Sequence, residues 1–138
     1  MHTQVQRTLD ALRIEPSGVP IYVQIREQLL GAIGAGWLAP GAQMPTMRQV
    51  AVALRVDLNT VRHAYDELDA MGAIRTVRGV GTFVAERPPR RDLAAEAARI
   101  DSLAHRLVAM AMTEGVDPVA VAHRVLTLEE RQEQGGEG

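Results

Sequence analysis

The chain contains no cysteine. That excludes a disulfide framework, a cysteine-based zinc site and a thiol nucleophile. Lysine is missing too, and all fifteen basic residues are arginine. The planar guanidinium fork suits phosphates and base edges, but arginine-only usage equally follows from a GC-rich genome. Aromatic residues are nearly absent. Tyr22, Trp37, Tyr65 and Phe83 are the whole set, so the core must be aliphatic and alanine-rich, which favours helices. No apolar run approaches the roughly 18 residues needed to span a bilayer. Met1-His2-Thr3-Gln4 opens no signal-peptide pattern, and a soluble, cytoplasmic protein is expected. Neither sign of charge dominates: fifteen basic residues against seventeen acidic give −2, which on its face argues against a nucleic-acid partner.

What is present is a chain of 138 residues, 46% apolar and 23% charged. It holds one domain, or a small domain with an appendage, and is too short for a large catalytic α/β scaffold. Its punctuation divides it into a lead-in at 1–17, a densely patterned domain at 18–87, a stiff Pro-Arg linker at 88–91, a second periodic region at 92–131 and a polar, glycine-rich, disordered tail at 132–138. Charge divides similarly. Residues 18–91 carry nine arginines against six acidic residues, whereas residues 92–138 carry four against nine. The near-neutral total conceals a basic front and an acidic back.

A first helix is expected from Pro20 to Ala35, with Ile21, Tyr22, Ile25, Leu29, Ala32 and Ile33 on one face. A second, short helix opens at Thr46, three residues before Gln49 in capping-box spacing, and buries Val50, Ala51 and Leu54. Asp57 caps a third helix, whose Val61, Ala64, Tyr65, Leu68 and Met71 form a buried stripe. Asn59, Arg62, His63 and Asp66 cluster on the opposite face. Gly72 ends that helix. The runs 73–77 and 82–85, joined by Arg78-Gly79-Val80-Gly81, read as a β-hairpin. Trp37 and Tyr65 are expected in the core. The expected fold is mainly α with a small β-hairpin: a winged helix-turn-helix domain plus a C-terminal two-helix appendage.

In such a domain a recognition helix offers its first turns to base edges, and an amide, a guanidinium and an imidazole lie on the outer face here. The sequence resembles the GntR family of bacterial transcription regulators. The residues that carry the resemblance are Pro20-Ile21-Tyr22 with Gln24-Ile25, Gly36-Trp37-Leu38 with Pro40-Gly41, and Met44-Pro45-Thr46-Met47-Arg48. Asn59-Thr60-Val61 with Ala64-Tyr65 and Leu68, Gly72-Ala73-Ile74, and Arg78-Gly79-Val80-Gly81-Thr82-Phe83-Val84 complete it. It covers residues 14–86. The Pro-Ile-Tyr opening and short C-terminal part are similar to the YtrA-type branch; 138 residues leave no room for the aminotransferase-like domain of MocR-type relatives.

The resemblance implies a homodimeric DNA-binding regulator, expected to be a repressor on a pseudo-palindromic operator. The alternative is a winged-helix module that binds proteins without specific DNA binding. The DNA-binding set it implies is Thr46, Arg48, Leu58, Asn59, Thr60, Arg62, His63, Arg78 and Gly79. Within that set Arg48 grips a phosphate or reaches the groove edge, Asn59 and Arg62 read bases, and Arg78 and Gly79 form the wing tip. Leu58 either touches a thymine methyl or packs. Arg55 stands where relatives carry glycine. Arg87, Arg90 and Arg91 are either a solvated linker or an added phosphate attraction.

Asp92 to Met112 reads as one long helix, about 30 Å at 1.5 Å per residue, and Asp117-Pro118 starts another. Leu93, Ile100, Leu103, Leu107 and Met110 on the first, with Val119, Ala122, Val125 and Leu126 on the second, are the expected dimerisation residues. Two such helices cannot enclose a core alone. They pair with a second copy or fold back on their own winged domain. An unidentified small-molecule effector is a further partner the resemblance allows. His63, His105 and His123 are expected to show no i, i+4 or HxH pair with a carboxylate partner at ligand spacing, so no metal is expected. No cofactor and no enzymatic activity are expected, because the chain has no Ser-His-Asp set, P-loop or strand-anchored GxGxxG.

Overall fold

The structure, a computed structural model, describes residues 3–87 and 92–135, with side chains for 4–87 and 92–130. The expected linker 88–91 and the last three residues of the tail lie outside the described residues. The chain forms two compact units, Met1–Arg90 and Arg91–Gly138.

The first unit contains α1 (Thr3–Ala11), α2 (Ile21–Gly34), α3 (Met47–Leu54), α4 (Leu58–Ala70), β1 (Ile74–Val77) and β2 (Gly81–Val84). Ile25, Leu29 and Ile33 recur every four residues and form the buried face of α2. Pro20 caps this helix rather than opening it. Its carbonyl accepts the Val23 and Gln24 amides, and it needs no N–H of its own there. Gln49 N–H donates to Thr46 Oγ1 at 3.0 Å, and Thr46 N–H donates to Gln49 Oε1 at 2.9 Å, so α3 opens with a full capping box. The Asp57 carboxylate accepts the Asn59 amide at 2.8 Å and starts α4.

Val61, Ala64, Tyr65 and Leu68 bury one face of α4 against Ile25, Leu29, Leu38, Met44, Val50 and Val84. Met71, expected on that stripe, is 47% exposed. The helix ends at Ala70, and Met71 turns outward as its cap before Gly72 takes φ +77°. The tyrosine hydroxyl of Tyr65 donates to the Pro45 carbonyl, tying α4 to the entry of α3. Burial pushes the Tyr65 phenol well above its ordinary range.

The wing is an antiparallel pair with Ile74 opposite Val84 and Val77 opposite Gly81. A third segment completes it. Met44 N–H donates to Thr82 O, Val84 N–H to Ala42 O and Gly41 N–H to Val84 O, at 2.8 to 3.0 Å. At Gly41, φ is +77°, a left-handed conformation that favours glycine, and a β-carbon would press on the Glu86 carboxylate at 3.0 Å.

The expected lead-in is in fact a helix followed by a docked irregular segment. Leu12 is core, and Thr8 is buried with its hydroxyl on Gln4 O at 2.8 Å. Two glutamines of α2 clamp the segment by their amides. Gln28 bonds both the N–H and the carbonyl of Arg13 (2.9 and 2.7 Å), and Gln24 does the same for Glu15 (2.8 and 3.0 Å). Trp37 is half-buried rather than core. The Arg7 guanidinium lies 3.8 Å from its ring centroid.

The second unit is α5 (Leu93–Glu114) and α6 (Pro118–Gly135). Asp92 caps α5 by accepting the Ala95 amide at 3.1 Å, Gly115 ends it at φ +73°, and Asp117 caps α6 through the Val119 amide at 3.0 Å. The helix runs to Gly135, into the stretch expected to be frayed. Ala111 is the sole buried apolar residue among those described in this unit.

Candidate nucleic-acid interface

The outer face of α4 begins directly after its cap. One oxygen of the Asp57 carboxylate accepts the Asn59 amide, so this exposed side chain caps the helix. Asn59 and Arg62, one turn apart, are exposed and bonded to each other, with Arg62 Nη1 donating to Asn59 Oδ1 at 2.6 Å. This bond holds an amide and a guanidinium side by side on the exposed face. Leu58 and Thr60 flank them, both half-buried.

Thr46 is exposed, and its hydroxyl already serves the α3 cap. Arg48 is exposed in the first turn of α3. At the other end, Gly79 takes φ +78° and lets a three-residue turn close the hairpin between Val77 and Gly81, with Arg78 and Val80 exposed at its tip. Arg48 and Arg78 make no hydrogen bond or ion pair among the described residues.

His63 stands apart from the rest of the expected set. It lies on the flank of α4 that faces α2, stacked on Tyr22 with ring centroids 3.8 Å apart. One turn on, Glu67 accepts a hydrogen bond from Arg26 of α2, and this bond holds the Arg26 guanidinium above its ordinary range. Arg75 was not among the expected residues. It lies on the outer face of the wing, 5.4 Å from the Phe83 centroid and 3.6 Å from the Glu86 carboxylate. Its position opposite Phe83 follows from the strand register, which residue types alone did not reveal.

Two of the three histidines considered as metal ligands have a carboxylate one turn away: His63 with Glu67 at 3.8 Å and His105 with Asp101 at 3.6 Å. Each pair stands alone; among the described residues no three such groups come together. Nor is any described helix long and apolar enough to cross a membrane.

The expected dimerisation residues all lie in the second unit. Leu93, Ile100, Leu103, Met110, Val119, Ala122, Val125 and Leu126 are exposed, Leu93 by 70%, and Leu107 is half-buried.

Residues 21–84 match the gntR family of bacterial regulatory proteins. The HTH-type transcriptional regulator Rv1152 of Mycobacterium tuberculosis is 37% identical over 91 residues, covering 65% of this chain and 75% of that protein. The HTH-type transcriptional repressor YtrA of Bacillus subtilis is 40% identical over 76 residues, covering 54% of this chain. The chain spans 58% of the length of YtrA and 59% of that of the B. subtilis regulator YhcF. Among solved structures, a GntR family transcriptional regulator from Listeria monocytogenes superposes with a TM-score of 0.53. The pair are 26% identical over 82% of this chain and 98% of the other. YtrA from Sulfolobus acidocaldarius, a GntR-family transcription factor, gives a TM-score of 0.50 at 30% identity over 71% and 97%. The chain belongs to the GntR family of bacterial regulatory proteins, and its first unit has the winged helix-turn-helix fold of that family's DNA-binding domain.

Proposed function

We propose that this regulator is a repressor that binds a pseudo-palindromic operator as a homodimer. The first turns of α4 enter the major groove, where Asn59 and Arg62 read base edges and Leu58 and Thr60 line the contact. Thr46 and Arg48 approach the phosphate backbone from α3. Arg78 and Gly79 approach the duplex through the wing, where the missing glycine side chain permits close contact. The observation that carries the reading is the pair of uncommitted cations, Arg48 and Arg78, in the same unit as the capped Asn59–Arg62 pair. Cations without internal partners are free to displace counterions from a duplex.

The second unit supports the homodimer. Leu93, Ile100, Leu103 and Met110 along α5, and Val119, Val125 and Leu126 along α6, leave large apolar side chains in water, the kind of surface that marks an association site. A groove of about 410 Å³, walled in part by Leu103, Leu107, Met110 and Val121, accepts apolar side chains from a second copy. A two-fold pair would set two recognition helices about 34–36 Å apart, one turn of duplex.

The test is selection of bound duplexes from a random pool, followed by footprinting and light scattering. An enriched inverted repeat, protected by a species of twice the chain mass, is expected. If no sequence is enriched and binding is absent even at low salt, the protein-interaction alternative replaces this reading.

A further inference from the structure

The second contact between α2 and α4 has a different character from the core beneath it. The Tyr22 and His63 rings lie 15° from parallel, with centroids 3.8 Å apart. His63 Nε2 is 3.8 Å from Glu67 Oε1, beyond hydrogen-bond length. The other Glu67 oxygen accepts from Arg26 Nη1. Tyr22 and Arg26 are one turn apart on α2, and His63 and Glu67 are one turn apart on α4, so the two helices are joined by two rungs. The first rung is an aromatic stack and the second an ion pair.

The apolar packing of Val61, Ala64 and Leu68 holds α4 down but is non-directional. Stacks and ion pairs are directional, and on this flank of α4 they resist rotation about the helix axis. Tyr65, bonded to Pro45, does the same on the side of α3. Asn59 is one turn before His63, and Arg62 is its neighbour, so a small roll of α4 displaces both. Groups that read hydrogen-bonding edges need orientation within about 10–20°.

We infer that His63 is a positioning residue. Its stack on Tyr22, with the Glu67–Arg26 pair one turn on, sets the roll of α4 that aims Asn59 and Arg62, and His63 itself does not touch DNA. This rests on α4 being the recognition helix.

The test uses the full chain and the duplex it enriches from a random pool. The readout is the discrimination ratio, Kd for a scrambled duplex over Kd for the enriched one. His63→Phe keeps a ring and loses the nitrogens. His63→Gln keeps hydrogen-bonding groups and loses the ring. His63→Ala loses both. The side chain is 53% exposed, so each variant is expected to fold, with circular dichroism as the check. His63→Phe should hold the ratio within about twofold of the parent, while Gln and Ala lower it about three- to tenfold, the range a stacked aromatic pair supplies. Affinity for the scrambled duplex should stay level in all three. In a Tyr22→Leu background, His63→Ala should add less than about twofold, because the stack is already gone. The inference is overturned if Gln preserves the ratio and Phe loses it, since the nitrogens would then be reading DNA. It is equally overturned if all three variants match the parent, or if the Tyr22 and His63 effects are additive. If the parent chain enriches no sequence, the recognition-helix reading fails first and this inference falls with it.

Discussion

The first unit buries Ile25, Leu29, Leu38, Met44, Val50, Val61, Leu68 and Val84 behind four helices and a wing, whereas the second buries Ala111 alone among its described apolar residues. The two units use the same local devices. Both have aspartate N-caps and helix-ending glycines at positive φ. They differ in where their apolar faces go. In the first unit the faces close on each other; in the second, Leu93 at 70% and Met112 at 71% exposure remain in water. Sound helices without a shared core are a surface awaiting a partner, and charge agrees with that division. The acidic second region is unsuited to DNA, and the basic first region is suited to it.

The sharpest way to break this comparison is to put charge on the second unit. Ile100→Asp with Leu103→Asp should leave the first unit folded and convert the proposed homodimer to a monomer in light scattering. Operator affinity should then fall about a hundredfold or more, because two half-sites no longer act as one ligand. A variant that stays dimeric would show that these helices fold back on their own chain or are not the clasp.

The next effect belongs to the first unit. Leu68→Ala removes a fully buried side chain and should cost about 2–5 kcal/mol in urea unfolding. Leu103→Ala, on an exposed residue, should cost the monomer under about 0.5 kcal/mol. Equal losses would mean that the second unit has a core of its own.

A smaller effect separates the two kinds of DNA contact. Asn59→Ala should lower affinity for the operator by about 1–3 kcal/mol and relax preference at one base pair. Arg48→Ala should weaken operator and random duplex together and reduce the salt slope by about one. If Arg48→Ala left both unchanged, its phosphate role would be wrong.

How far the sequence could carry this comparison depends on whether the signal was local. The capping box of Thr46 and Gln49, the Asp57 cap, the stripe through Leu68 and the hairpin around Gly79 are all local patterns, and all were legible. The missed features are tertiary. Helix α1 was hidden because its contacts are tertiary: Arg7 lies on Trp37, and the segment that follows it is held by amide clamps from Gln24 and Gln28, none of which leaves a periodic trace. The edge segment 41–44 carries no strand pattern of its own; its pairing with β2 joins residues some forty positions apart. For His63, a helical wheel gives its angle but not which neighbour covers that flank. Tyr22 stacks on it there, and this contact underlies the positioning role inferred for His63.

The smallest expected effect concerns the one departure that the sequence displayed and the structure explains. Arg55 joins α3 to α4 at φ 56°, ψ 48°, and is the only non-glycine residue with positive φ among those described. Its amide donates to Val52 O at 3.3 Å, and the Val56 amide to Ala51 O at 3.1 Å, so the left-handed residue closes α3 and frees the chain to turn into α4. An L-residue with a β-carbon pays roughly 1–2 kcal/mol for that conformation. Glycine avoids the strain but gives back about 0.5–1 kcal/mol in chain entropy. Arg55→Gly should therefore stabilise the first unit by about 0.5–1 kcal/mol in urea unfolding, with the self-association of the second unit unchanged. A destabilised variant would mean that the Arg55 side chain contributes more than its backbone costs. Random-duplex affinity would then distinguish a contact within the protein from one to DNA, since only the latter lowers it.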